Sequence, residues 1–248
     1  MKPIGIVSAL SAEARTLGRA APRGAGLAQL PDGAFLAVSG IGESAAAAAA
    51  RRLVLAGATA LASFGMAGGL DPALTCGAVV LPEEVAAWDG GERGVQVSAT
   101  SAEWRRRLRA ALPAACIAAG GKLLTSPLPM GRAAKADAWR ISRAAAVDME
   151  SAAVAQVARQ AGLPFIALRV IVDTASDELP PAVIAASSGG RLRIGRLLAS
   201  LLRAPADVAA LMRLSARYRI ASRVLSAVGR AESASRRALV GGCAEQTQ

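Results

Sequence analysis

The stretch AAVDMESAAVAQVARQAGLPFIALRVIVD, residues 145–173, decides the fold. AAVDM reads as a short apolar strand, ESAAVAQVARQAG as a helix and PFIALRVIVD as a strong apolar strand. Strands alternating with helices predict a mostly parallel or mixed sheet covered on both faces. The same stretch places Asp148 and Glu150 around Met149, where strand turns to helix. Carboxylates early in a helix suit its positive end and can serve as caps alone. The rest of the chain decides whether they do more.

Working outward, the alternation continues. PIGIVSAL reads as a first strand, followed by a helix that starts near Ser11. GAFLAVSG is a further strand, and IGESAAAAAARRLVLAG an alanine-rich helix that stops near Gly57. ATALASFG is a strand that leads into the small-residue loop GMAGGLDP. TCGAVVLPEEVAAW reads as strand and SAEWRRRLRAAL as an amphipathic helix. The expectation is an α/β fold with a central sheet flanked by helices over residues 1–190. A basic helical C-terminal extension covers 191–248, with two helices broken at Pro205. In the second of these, Val208, Leu211, Met212, Ser215, Tyr218, Ala221, Leu225 and Val228 approximate one face.

Composition narrows the chemistry. The chain of 248 residues has no histidine, which excludes Ser-His-Asp and Cys-His mechanisms and most zinc sites. Proton transfer falls to carboxylates, lysine, tyrosine or water. Cys76, Cys116 and Cys243 form neither a metal spacing nor a disulfide framework, so no metal is expected and a cytoplasmic setting fits. The N-terminus lacks a signal-peptide core, and no run of eighteen apolar residues escapes a charge. Charge is concentrated at the end: eleven arginines from Arg191 to Arg237 against Asp207 and Glu232, a net +9 of the chain's +11.

Three carboxylates stand at or just beyond predicted strand ends: Glu13, Glu150 and Asp173. In a parallel sheet the carboxyl ends of strands share an edge, so all three are expected to converge on one pocket. VSGIGESA, residues 38–45, is a Gly-x-Gly-x-x-Ala turn between strand and helix. A dinucleotide site needs an acidic residue at the end of the next strand, and ATALASF ends without one. The turn still opens an anion-friendly helix N-terminus.

Taken in order, IGIVSALSAE (4–13), VSGIGESAAA (38–47), SFGMAGGLDP (63–72), VDMESAA (147–153) and RVIVDTAS (169–176) resemble the nucleoside phosphorylase superfamily, in its methylthioadenosine/adenosylhomocysteine nucleosidase-like branch. The resemblance implies an enzyme that cleaves the N-glycosidic bond of an adenine nucleoside, without a cofactor and with phosphate or water as nucleophile. It implies that Glu150 accepts the ribose hydroxyls and Met149 packs on the sugar. Asp173 then holds the purine and shares a proton with N7, while Glu13 orients or deprotonates the nucleophile. Gly40, Gly42, Met66 and Gly68 form the nucleophile pocket, with Met66 where many relatives carry a serine, and Arg15 is the candidate for phosphate. Relatives are commonly dimers or larger, so a homo-oligomer is expected.

With the tail included, the chain looks like the hopanoid-associated phosphorylases, a group thought to remove adenine from adenosylhopane. Basic helices would then rest on the inner face of the membrane. The alternatives are a nucleosidase for methylthioadenosine or adenosylhomocysteine, and a basic nucleic-acid module. The last is disfavoured, because only Tyr218 offers an aromatic ring in the basic segment.

Overall fold

A computed structural model describes residues 3–18, 26–90, 96–114, 116, 118–178 and 206–244. One mixed sheet of eleven strands organises them, in the order β2 (Leu27–Gln29), β3, β1, β4, β10, β9, β6 (Glu84–Ala87), β7 (Val97–Ala99); on the other edge of β4 lies β11, followed by β5 (Val79–Val80) and β8 (Ala118–Ala119). The central strands are β1 (Ile4–Ser8), β3 (Phe35–Val38), β4 (Ala60–Gly69), β10 (Ala146–Asp148) and β11 (Phe165–Asp173). β1 runs parallel to β3 and β4, β11 runs parallel to β4, and β10 pairs antiparallel with the end of β4. β9 (Lys122–Thr125) continues the sheet parallel to β10.

Helices cover both faces, as buried parallel strands require. On one face α2 (Glu43–Leu55) buries Ala46, Ala49, Ala50 and Leu53, the i, i+3, i+4, i+7 stripe of an amphipathic helix. It packs on α5 (Ser151–Gln160) and against β1, where Gly5 allows close approach: a Cβ there would lie 2.9 Å from that of Leu53. On the other face lie α1 (Ser11–Ala14), α3 (Ala102–Ala111) and a long C-terminal helix. α3 opens on Ser101, whose side chain accepts from Trp104 N. α4 (Arg132–Ser142), unannounced by the sequence reading, follows β9 and ends on Arg143 in the left-handed region.

The C-terminal helix, α6 (Ala206–Ala244), packs on β11 and α3 through Ala221, Leu225 and Val228. The expected apolar face is therefore divided. Tyr218 is partly buried and the three residues after it on that face are fully so, whereas Met212 is 68% exposed. Arg213, Arg219 and Arg223 are exposed, but Arg217 turns back to pair with Asp177. The expected helix before Pro205 lies outside the described residues. Among the described residues no helix is long and apolar enough to cross a membrane.

One local expectation changes. GMAGG is strand rather than loop, because β4 runs on to Gly69 while β11 pairs with it from Leu61 to Gly68. Backbone pairing on a long neighbour overrides the weak strand preference of glycine.

Candidate active site

The site forms where the sheet forks. On one edge of β4, β1 pairs with Ala60–Ser63 and β10 takes over only at Gly68 and Gly69. Between them the backbone N–H of Met66 has no strand to bond and instead donates to Glu13 Oε1 at 2.9 Å. A buried N–H needs such a partner. Glu13 arrives on the single turn of α1 just after β1, and its Oε2 accepts from Leu10 N at 3.1 Å and Ser8 Oγ at 3.2 Å. Gly65 makes room, since a Cβ there would lie 2.8 Å from Glu13 Oε1. Burial pushes the Glu13 carboxyl above its ordinary range, opposed by the Arg169 charge and by these hydrogen bonds.

The two carboxylates around Met149 have different surroundings. Asp148 accepts from Thr125 Oγ1 at 2.7 Å and from the backbone N–H groups of Glu150 and Ser151, and it pairs with Arg169 Nε at 2.7 Å. Arg169 is itself buried and gives Nη2 to Ser63 Oγ and Ser151 Oγ. Glu150 receives Gly42 N at 2.9 Å and, more weakly, Met149 N at 3.3 Å. Burial first, and then the neighbouring Asp148 charge, raise its carboxyl to about 7.

Asp173 ends β11 after a register shift against β4 between Ile171 and Asp173. Such an irregularity re-aims a side chain. Its Oδ2 accepts from Lys135 Nζ, which also donates to the Thr174 carbonyl at 2.9 Å. Lys135, on α4, is 1% exposed. Gly68 leaves space for this pair, because a Cβ there would sit 3.3 Å from both Asp173 Oδ2 and Lys135 Cε.

Glu13, Glu150 and Asp173 line one cavity of about 300 Å³, joined by Met149, Met66 and Gly68. The structure thus brings together most of the residues expected from the sequence. Gly68 lies at the Asp173 end. Gly42 touches the cavity indirectly, through its N–H on Glu150. Gly40 and Arg15 are not in the lining, and Arg15 is exposed. Sequence reasoning missed Lys135, the Arg169–Asp148 pair and Tyr218 of α6, all three of which reach the cavity or its floor. Burial and the charge of Glu13 raise the Tyr218 phenol, against a hydrogen bond with Ser222 and the charge of Arg15. No advance signal marked Lys135, because its place on the buried face of α4, three residues before Ala138, emerges only in the fold.

The chain belongs to the phosphorylase superfamily, whose sequence pattern matches residues 30–203. It is accordingly an enzyme of the nucleoside phosphorylase and nucleosidase kind. Its fold is similar to that of 5′-methylthioadenosine/S-adenosylhomocysteine nucleosidase from Neisseria meningitidis, solved with methylthio-immucillin-A (21% identity, TM-score 0.70, 95% of this chain and 99% of that one). The nucleosidase from Colwellia psychrerythraea, solved with adenine, is similar at 27% identity and TM-score 0.61, over 70% of this chain and 83% of that one. Futalosine hydrolase of Helicobacter pylori is similar at 21% identity and TM-score 0.61, over 70% and 88%. No curated protein matches the sequence.

Proposed function

We propose that this enzyme breaks the N-glycosidic bond of an adenine nucleoside and releases adenine. The observation that carries the reading is the convergence of Glu13, Glu150 and Asp173, from three separate segments, on one cavity. Breaking a ribosyl C–N bond builds positive charge on the sugar, as in glycoside hydrolysis. Glu150 uses two hydrogen bonds of the roughly four a carboxylate can accept, so it has capacity for the ribose hydroxyls. A carboxylate so placed favours the developing cation, and Met149 packs beside the sugar. Asp173 takes the purine edge. Glu13 faces the nucleophile, and the position of Arg15 outside the cavity supports water over phosphate.

The 5′ substituent that fits best is a lipid, as in adenosylhopane. Leu10 and Leu128 line the cavity yet are 38% and 61% exposed, giving it an apolar rim. Tyr218 ties α6 to the same cavity, and Met212, Ile220 and the exposed arginines of that helix offer an apolar and basic surface nearby. In this reading residues 191–248 act as an arm that rests the enzyme on an anionic leaflet. The second reading, a nucleosidase for methylthioadenosine or adenosylhomocysteine, is favoured by the similar structures. Adenine release from adenosylhopane in vesicles and from methylthioadenosine, each with and without phosphate, tests both. Faster release from the lipid, unaffected by phosphate, is expected. Release from methylthioadenosine alone leaves the second reading, and adenine from neither contradicts both.

A further inference from the structure

Tyr218 reaches the cavity from α6, and the chemistry above gives it no task. Its neighbours on the helix hold it there. The Arg217 carbonyl accepts from Cys76 Sγ at 3.5 Å, the Arg217 side chain pairs with Asp177, and Ala221 and Leu225 pack into the core. Tyr218 carries the one hydroxyl among the described side chains that line the cavity. The other polar side chains there are four carboxylates and Lys135, whose ammonium lies against Asp173. Glu13 faces the nucleophile with little left to hold it. Three of its roughly four acceptor positions are taken, by Met66 N, Leu10 N and Ser8 Oγ. A water on the remaining one is tethered by a single O–H and swings about it, whereas attack on C1′ needs a fixed lone pair. The Tyr218 phenol lies close enough to feel the Glu13 charge, which adds to burial in raising it.

We propose that Tyr218 is a catalytic residue that fixes the attacking water: its phenol oxygen accepts one O–H while Glu13 takes the other. The inference rests on the adenine reading of this site, with water as the attacking group. With its own proton on Ser222, the phenol oxygen is free to accept. In the step, the C1′–N9 bond breaks and its electron pair moves into the purine, which takes up a proton at the Asp173 end of the cavity. The water oxygen bonds to C1′ and one of its protons passes to Glu13. The other proton stays on the new sugar hydroxyl, still facing Tyr218. Once the products leave, Glu13 returns its proton to solvent and the Asp173 end regains one. The arrangement selects its nucleophile: water has two O–H groups and serves both partners, whereas an alcohol has one and cannot.

The test is turnover by the full chain in water–methanol mixtures, with the sugar products separated by chromatography. The substrate is methylthioadenosine, or adenosylhopane where that alone is cleaved. In the unaltered enzyme the share of methyl glycoside should lie well below the methanol fraction of the medium. Tyr218→Phe keeps the ring and removes the hydroxyl. It should lower kcat by about 10-fold, the worth of one hydrogen bond at the reacting atoms. KM should stay within about 2-fold, because the water and not the nucleoside has lost a partner. The share of methyl glycoside should rise toward the methanol fraction, a change that a packing role for Tyr218 would not produce. A variant with unchanged kcat, or one whose glycoside share does not move, would overturn the inference. So would an unaltered enzyme that makes methyl glycoside in proportion to the methanol supplied, a result that decides even where the variant does not fold. Adenine release that requires phosphate would overturn this inference and leave the adenine reading standing. No adenine from any nucleoside would fail that reading, and this inference with it.

Discussion

Asp148 and Glu150 stand two residues apart, and the structure treats them in opposite ways. Asp148 is closed off: a hydroxyl, two backbone N–H groups and the Arg169 guanidinium take up its oxygens. Glu150 is equally dry but has few partners, and its carboxyl sits at about 7. The floor of the cavity is thus a closed network, whereas Glu150 in its wall keeps open acceptor capacity. A buried polar group costs free energy unless it is bonded. Glu150 bears part of that cost, seen in its raised carboxyl, because two backbone N–H groups fill only about half of its acceptor capacity. The contrast separates residues that hold the site from residues that await a ligand.

The largest expected effect tests the wall. Asp173→Ala removes the acceptor for the base and leaves Lys135 buried without its partner. It should lower adenine release by about 10³-fold or more, read by chromatography of the freed base, and turnover near that of the unaltered enzyme would break the contrast. On the floor, Asp148→Ala strands the buried Arg169 charge. Removing one partner of such a pair costs about 3–5 kcal/mol, a drop in Tm on the order of 10 °C for a domain of this size. A melting temperature within about 2 °C of the original would show that the network is not structural.

Glu150→Gln sharpens the comparison, because it should damage activity and not the fold. A loss of about 10²-fold in kcat/KM is expected where a charge-assisted hydrogen bond to the ribose and the stabilised cation are lost together. In the free enzyme, kcat/KM should itself fall as pH drops through about 7, where Glu150 takes up its proton. Stability moves the other way. The folded carboxyl holds its proton more tightly than the ordinary 4.5 value of the unfolded chain, so this group's contribution is lost as pH rises from about 4.5 through about 7. Above that window the loss amounts to at most about 3 kcal/mol. Glu150→Gln removes it, so the variant's Tm should gain on the original between pH 5 and pH 8. A gap that stays constant over this range would mean that Glu150 is not held with a raised carboxyl.

The sequence made the frame of the molecule readable for a physical reason. β1, β3, β4 and β11 are apolar runs long enough to be recognised alone, and α2 and α5 carry alanines at helical spacing. β7 and β8 were not readable, because strands of two or three residues exist only through their neighbours. The glycines of β4 looked like loop until the pairing with β11 supplied the reason for strand. At the site, the three carboxylates stood out because a chain without histidine has few other proton carriers. Lys135 did not stand out, since one lysine in GRAAKADAW reads as a solvated helix residue until α4 is packed on the sheet. The tail was half readable: its arginines marked a basic helix, but the packing of Ala221, Leu225 and Val228 on the core depends on surfaces far away in sequence.

The central claim is that the open carboxylates complete themselves on an adenine nucleoside. A crystal structure with a non-cleavable analogue of methylthioadenosine tests it most directly. Ribose hydroxyls on Glu150, the base edge on Asp173 and an ordered water on Glu13 are expected. An analogue bound elsewhere, or one seated in the cavity with Glu150 and Asp173 making no bond to it, would contradict the account.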